Sequence, residues 1–172
     1  MNPVTLRRAV QADIEAVATI WHDGWRDGHL GHVPVALEQH RRPVDFLSRV
    51  PGRLDDTVVA VVGSAVVGFV MVRDDEIEQL YVAAPARGTG VAAALLGRGE
   101  ALIGARFDRA WLAVVAGNTR ARRFYERNGW SDAGPFVYPA GTAAGPTIPV
   151  PVLRYEKLLA LTPEAAGEGA GD

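Results

Sequence analysis

At 172 residues, 48% of them hydrophobic and 22% charged, the chain has the length of one domain and enough apolar material for a core without disulfide or metal staples. A net charge of −2 and a pI of about 6.1 give no overall basic footprint, so no nucleic-acid partner is expected. The absence of cysteine excludes a disulfide framework, a thiolate metal site and a cysteine nucleophile; no run approaches the length of a membrane span and the first residues lack an apolar signal core, so a cytoplasmic protein without a membrane partner is expected.

Val4 to Arg8 alternates apolar and polar residues and reads as the first strand. Asp13 then stands as the N-cap of a helix in which Ile14, Val17, Ala18, Trp21 and Trp25 recur at helical spacing. A loop with Gly28, His29, Gly31 and His32 follows, then short helices around Val35 to His40 and Val44 to Val50. His22, His29, His32 and His40 all fall in this part beside Asp23 and Asp27, but no pair has HExxH spacing, and no metal site is expected. Thr57 to Val62 and Val66 to Arg73 flank a Gly63-Ser64 turn as a hairpin. After Asp74-Asp75 a strand runs from Glu76 to Val82. Strict alternation puts Glu76, Glu78, Leu80 and Val82 on one face and Ile77, Gln79 and Tyr81 on the other.

That strand is followed by Arg87-Gly88-Thr89-Gly90-Val91-Ala92 and by an alanine- and leucine-rich helix from Val91 to about Ala105. Backbone N–H groups at a helix start have no intrahelical partner and carry the positive end of the helix dipole, so this turn suits a phosphate. Gly88 and Gly90 lack a Cβ and Ala92 has the smallest, which lets the backbone press against a ligand; Arg87 adds a charge. Neither GxxxxGK with a following Ser or Thr nor GxGxxG with a later acidic residue is present. The helix is expected to bury Val91, Ala94, Leu95 and Leu102. Ala110 to Val115 reads as a buried strand beside Glu76 to Val82, and Thr119 to Asn128 as a helix ended by Gly129, with Ala121, Phe124 and Tyr125 toward the sheet. A strand near Phe136 to Tyr138, a loop from Pro139 to Pro149 and a strand from Val150 to about Leu158 complete the order. The long loop reads either as cover for a ligand pocket or as contact with another subunit in a homodimer. Residues 161–172 are acidic and poor in large apolar side chains, so a disordered tail is expected behind one domain over 1–160.

Two segments carry a resemblance. Arg87 to Ala92 fits the pattern Q/R-x-x-G-x-G/A, and Asn118 to Trp130 fits N-x-x-A-x-x-F/L-Y-x-x-x-G-F/W at the expected distance after it. On these the chain resembles the GNAT superfamily of N-acetyltransferases over roughly residues 4 to 159. The resemblance implies an α+β (αβα) fold with a mixed, splayed central β-sheet flanked by helices, in which Glu76 to Val82 and Ala110 to Val115 run parallel and part to leave a slot. It implies acetyl-CoA as acetyl donor, with the pyrophosphate on Arg87, Gly88, Thr89, Gly90, Val91 and Ala92, the pantetheine along the backbone of Leu80, Tyr81 and Val82, and a contact from Asn118. The implied reaction is direct transfer of acetyl to a primary amine, with a small-molecule acceptor expected. In the family the first two helices and their joining loop wall the acceptor pocket, which makes Trp25, His29 and His32 candidate acceptor contacts. An amine must lose its ammonium proton before it attacks a thioester, and Glu76 or Glu78 is the candidate base, the choice left open. Tyr125 holds the position that protonates the departing CoA thiolate in many members. Two other readings stay open: a non-catalytic sensor that binds CoA or acyl-CoA, and an acetyltransferase acting on a protein amine.

Overall fold

The computed structural model describes residues 3–143 and 145–160, so the expected tail, 161–172, lies outside the described residues. Strand β1 (Val4–Arg8) leads through a 3-10 turn (Gln11–Asp13) into helix α1 (Ile14–His29). Asp13 holds the N-cap position, but its carboxylate does not cap α1. It accepts from Val10 N–H at 2.8 Å and from both Arg7 Nη groups at 2.7 and 2.9 Å, and that guanidinium holds it below the usual carboxylate range. A charged donor competes better than a neutral amide, so Asp13 ties the strand to the helix instead. Helix α2 (Val35–Glu38) is shorter than the expected stretch, and α3 (Pro43–Arg49) begins on a proline, which forfeits no intrahelical bond there.

Strands β2 (Thr57–Val62), β3 (Ala65–Arg73) and β4 (Glu76–Val82) form an antiparallel meander with β1 beside β2. Helix α4 (Val91–Gly104) crosses to β5 (Arg109–Val114), and α5 (Thr119–Arg127) leads to the hairpin of β6 (Ser131–Ala140) and β7 (Ile148–Leu158). The sheet order is β1-β2-β3-β4-β5-β7-β6, antiparallel except where β4 meets β5. Those two strands pair at a single position, Glu76 with Trp111, so the mixed sheet is splayed as expected. On one face α1 and α3 bury Trp21 and Phe46 against Phe69; on the other α4 buries Leu95, Leu96 and Ile103 against Val70, Leu112 and Tyr155. Ala94, expected inside, is exposed. The inward row of α4 runs Val91, Leu95, Gly99, Ile103, a strict i, i+4 ridge that lies against β3 and β4.

The faces of β4 also differ from strict alternation. Met71 of β3 faces Gln79 while Val72 faces Ile77, which leaves Glu78 as the extra residue of a β-bulge. Ile77 therefore joins Leu80 and Val82 in the layer under α4, while Glu76, Glu78 and Tyr81 serve the side of α1 and α3.

The expected loop from Pro139 to Pro149 is partly strand, since β6 runs through Ala140 and β7 starts at Ile148. In the ladder Pro139 faces Pro149 and Val137 faces Pro151. Neither Pro139 nor Pro149 has an N–H to exchange, so theirs is a non-hydrogen-bonded pair whose amide positions point away from the partner strand. On β7 that direction lies beyond the stretch Leu153–Leu158 that pairs with β5, so no ladder bond is lost.

Candidate active site

Where β4 diverges from β5 a cavity of about 480 Å³ opens, walled by α1, the α2–α3 region, α5 and the β6–β7 hairpin. The bulge brings both carboxylates of β4 to it. Glu76, only 8% exposed, accepts a hydrogen bond at Oε1 from Tyr138 Oη at 2.7 Å. Burial pushes its carboxyl up to about 7; the Tyr138 hydrogen bond opposes this rise and the charge of Glu78 adds to it. Such a group exchanges a proton near neutrality. Glu78 is engaged differently. Arg53 Nη1 donates to its Oε1, and Arg73 Nε stands 3.2 Å from Oε2 without the alignment of a hydrogen bond, so Oε2 is buried and unbonded.

Tyr125 of α5 lines the same cavity among the rings of Phe124, Trp130 and Tyr155. Burial raises its hydroxyl further above the usual tyrosine value, so it stays a neutral O–H donor. Asn118 also lines the cavity, with Oδ1 accepting from Ala121 N–H at 3.2 Å to cap α5. Of the three expected acceptor contacts, Trp25 and His29 face the cavity. Their rings stack at 5.1 Å, and His29 Nδ1 lies 3.0 Å from the Trp25 carbonyl. That carbonyl can only accept, so Nδ1 carries the proton, and burial pushes the imidazole down to about 4, leaving it neutral. His32 is exposed, packs over Gly117 and does not line the cavity.

Past β4 the chain makes a 3-10 turn (Ala84–Ala86) and reaches the glycines. Gly88 and Gly90 hold φ of +76° and +87°, and no atom stands within 4 Å of a Cβ built on either. The backbone conformation, not crowding by the protein, thus demands glycine, and the space before α4 is clear. Thr89 Oγ1 donates to the Ala86 carbonyl. Arg87 is not free at the mouth: Nη2 donates to Asp27 Oδ2 at 2.7 Å and Nε to the Val82 carbonyl at 3.2 Å, which fastens the turn to α1. An open glycine turn at the start of a 14-residue helix, beside a strand edge with one bridge to its neighbour, fits a ligand that carries both phosphates and an extended amide chain.

Tyr138, Arg41, Arg49 and Arg53 line the cavity without having been singled out in the sequence. Tyr138 meets Glu76 across 62 residues of chain, which no local pattern reports. Arg49 and Arg53 stand four apart, a weak sign of a shared face. Among the described residues no group of three or more His, Cys, Asp or Glu is placed to hold a metal ion, and no helix is long and apolar enough to cross a membrane.

A family model described as acetyltransferase (GNAT) family matches residues 14–130. No curated protein matches the chain. Among solved structures, a GCN5-related N-acetyltransferase from Rhodopseudomonas palustris is 20% identical with a TM-score of 0.71, over 92% of this chain and 98% of that one. YncA of Salmonella typhimurium, solved with its cofactor acetyl-CoA, is 18% identical with a TM-score of 0.65, over 98% and 99%. The PaiA N-acetyltransferase of Thermoplasma acidophilum, in complex with coenzyme A, is 16% identical with a TM-score of 0.64, over 91% and 99%. At these identities the likeness is one of fold.

Proposed function

We propose, from the premise that the chain belongs to the GNAT acetyltransferase family, that it transfers the acetyl group of acetyl-CoA directly to the primary amine of a small molecule. The observation that supports this best is one cavity in which the diverging β4 edge, a buried carboxyl near neutrality and a neutral tyrosine hydroxyl come together. Acetyl-CoA supplies an activated thioester. On the side of the chain, the N–H groups of the Gly88–Gly90 turn and the first turn of α4 bind the pyrophosphate. The backbone of Leu80, Tyr81 and Val82 aligns the pantetheine as it would an added strand, with Asn118 across the slot, and an N–H near Val82 polarises the thioester carbonyl.

Glu76 is the base. It takes the ammonium proton, through water where the amine lies beyond reach, whereas Glu78 is engaged by guanidinium groups and positions Arg53. The amine nitrogen then forms its bond to the acetyl carbon as the C–S bond breaks; Tyr125 gives its proton to the departing sulfur, and the surplus proton on the new amide nitrogen passes through water to restore the Tyr125 hydroxyl. Trp25 and His29 line the acceptor side, while His32 stands outside it.

Calorimetric titration with acetyl-CoA, followed by thiol release on polyamines, amino acids, aminoglycosides and peptides, tests this reading. The expected result is binding together with release on one class of small amine. Failure to bind acetyl-CoA overturns the proposal, and release on peptides alone moves the acceptor to protein amines.

A further inference from the structure

The cavity holds more positive charge than its own carboxylates answer. Arg41, Arg49, Arg53 and Arg73 line it, and the acids that do so are Glu76 and Glu78. Arg53 and Arg73 both turn to Glu78. Arg41 and Arg49 have no carboxylate partner among the described residues; Asp45 on α3 is held by Arg42 at 3.0 and 3.1 Å. Arg41, only 7% exposed, donates to the carbonyls of His40 and Gly141 at 3.1 and 2.8 Å, and its Nε is buried with no partner. Arg53 Nη2 is likewise buried and unbonded. Burial, and after it the neighbouring charge of Arg49, pushes Arg41 down to about 10, so it is still a cation at neutral pH.

Two guanidinium groups that repel each other in a desolvated place are unfavourable for the empty protein. Their setting is nevertheless built. The guanidinium of Arg49 lies 4.6 Å over the Trp21 ring and that of Arg41 lies 5.6 Å from the Trp25 ring. A guanidinium over an indole is held there without spending its N–H groups, and on Arg41 the donor left wholly unused is Nε. Arg49 neighbours Glu78, Tyr81 and Tyr138, and Arg41 neighbours Tyr81.

We propose that the acceptor carries an anionic oxyacid group, a carboxylate or a phosphonate, that Arg49 and Arg41 bind while its amine is directed to Glu76. The amine half of this statement rests on the transferase reading above; the anion half does not.

The test uses the full chain loaded with CoA, titrated with amino acids, with the amide of each, and with aminoalkylphosphonates, thiol release being followed separately with acetyl-CoA. The oxyacid should bind at least tenfold tighter than its amide. Carboxylate or phosphonate preference identifies which oxyacid the site takes, and either supports the inference. In Arg49→Met the acid-to-amide ratio should fall toward one, Arg49→Lys should keep part of it, and the melting temperature of ligand-free Arg49→Met should not drop below wild type, because the lost charge had no partner to leave behind. Should Arg49→Met fail to fold, Arg41→Met provides the same ratio. Acids that bind with that preference but never give thiol release sink the transferase reading and leave this inference standing. Amides that bind as tightly as acids, a panel in which no acid binds, or a ratio unchanged in the arginine variants overturns it.

Discussion

Glu76 has neighbours that pull its proton in opposite directions, and that balance makes the base testable one residue at a time. Its ionised form is the active one, so kcat/KM should rise with pH through about 7. Glu76→Gln should remove that rising limb and lower kcat/KM by roughly 10² to 10⁴, the usual range for losing a general base, with acetyl-CoA affinity kept. Tyr138→Phe deletes a hydrogen bond that favours the carboxylate; the limb should move to higher pH, which a pH–rate profile reads directly. Tyr125→Phe should lower kcat by about tenfold or more with little change in KM, because its proton is needed only as the sulfur leaves. At this scale the sequence showed the two carboxylates, the asparagine and the tyrosine of α5, since each sits in a local pattern. It could not show that Tyr138 donates to Glu76, nor that Arg7 captures Asp13, because both partnerships are made by tertiary approach.

At the scale of elements, nearly every strand and helix was legible because its hydrophobic period was clean, and the misreadings have separate causes. Glu78 is a bulge, and alternation in sequence looks the same whether or not the partner strand skips a residue. Proline normally argues against a strand, so the ends of β6 and β7 nearest their turn read as loop; the prolines are tolerated because their missing N–H groups fall where no partner strand lies. On α4 Ala94 read as buried because alanine is compatible with either side of a helix. The glycine turn, by contrast, was read correctly as the open start of a helix. Gly90→Ala should cost about 1–2 kcal/mol in thermal or denaturant unfolding, the penalty of a left-handed conformation alone, since no atom lies near the new methyl group. The same variant should weaken acetyl-CoA binding by tenfold or more if the turn seats the pyrophosphate, and a calorimetric titration with unchanged affinity would remove that role.

For the molecule as a whole, the buried Glu76 leaves a signature in stability. Its folded value of about 7 lies above the 4.5 of an unperturbed carboxyl, so between those values the native state holds more protons than the unfolded chain. Stability from this group is complete below about 4.5 and is lost as pH rises through 7, by roughly 3 kcal/mol in all. Asp13, Asp45 and Glu156, whose values are lowered by arginine partners, act in the opposite sense and in a more acidic range. Urea unfolding at a series of pH values should show the decline toward pH 8 in the wild type and its absence in Glu76→Gln. The fold itself was legible down to the parting of β4 from β5, because two short motifs mark the same place; the contents of the pocket were not, because its walls come from α1, α3, β4, α5 and a distant hairpin at once. The proline-bearing β6 also bears on how copies of this chain meet. As the outermost strand it would ordinarily offer its main chain as a template, the route by which sheet proteins exchange strands or grow fibrils. Pro135 and Pro139 share the outward phase of the ladder, so that edge lacks donors at two of its outward positions. It resists continuation of the sheet into a neighbour, since a strand added there would find two of its bonds unmade.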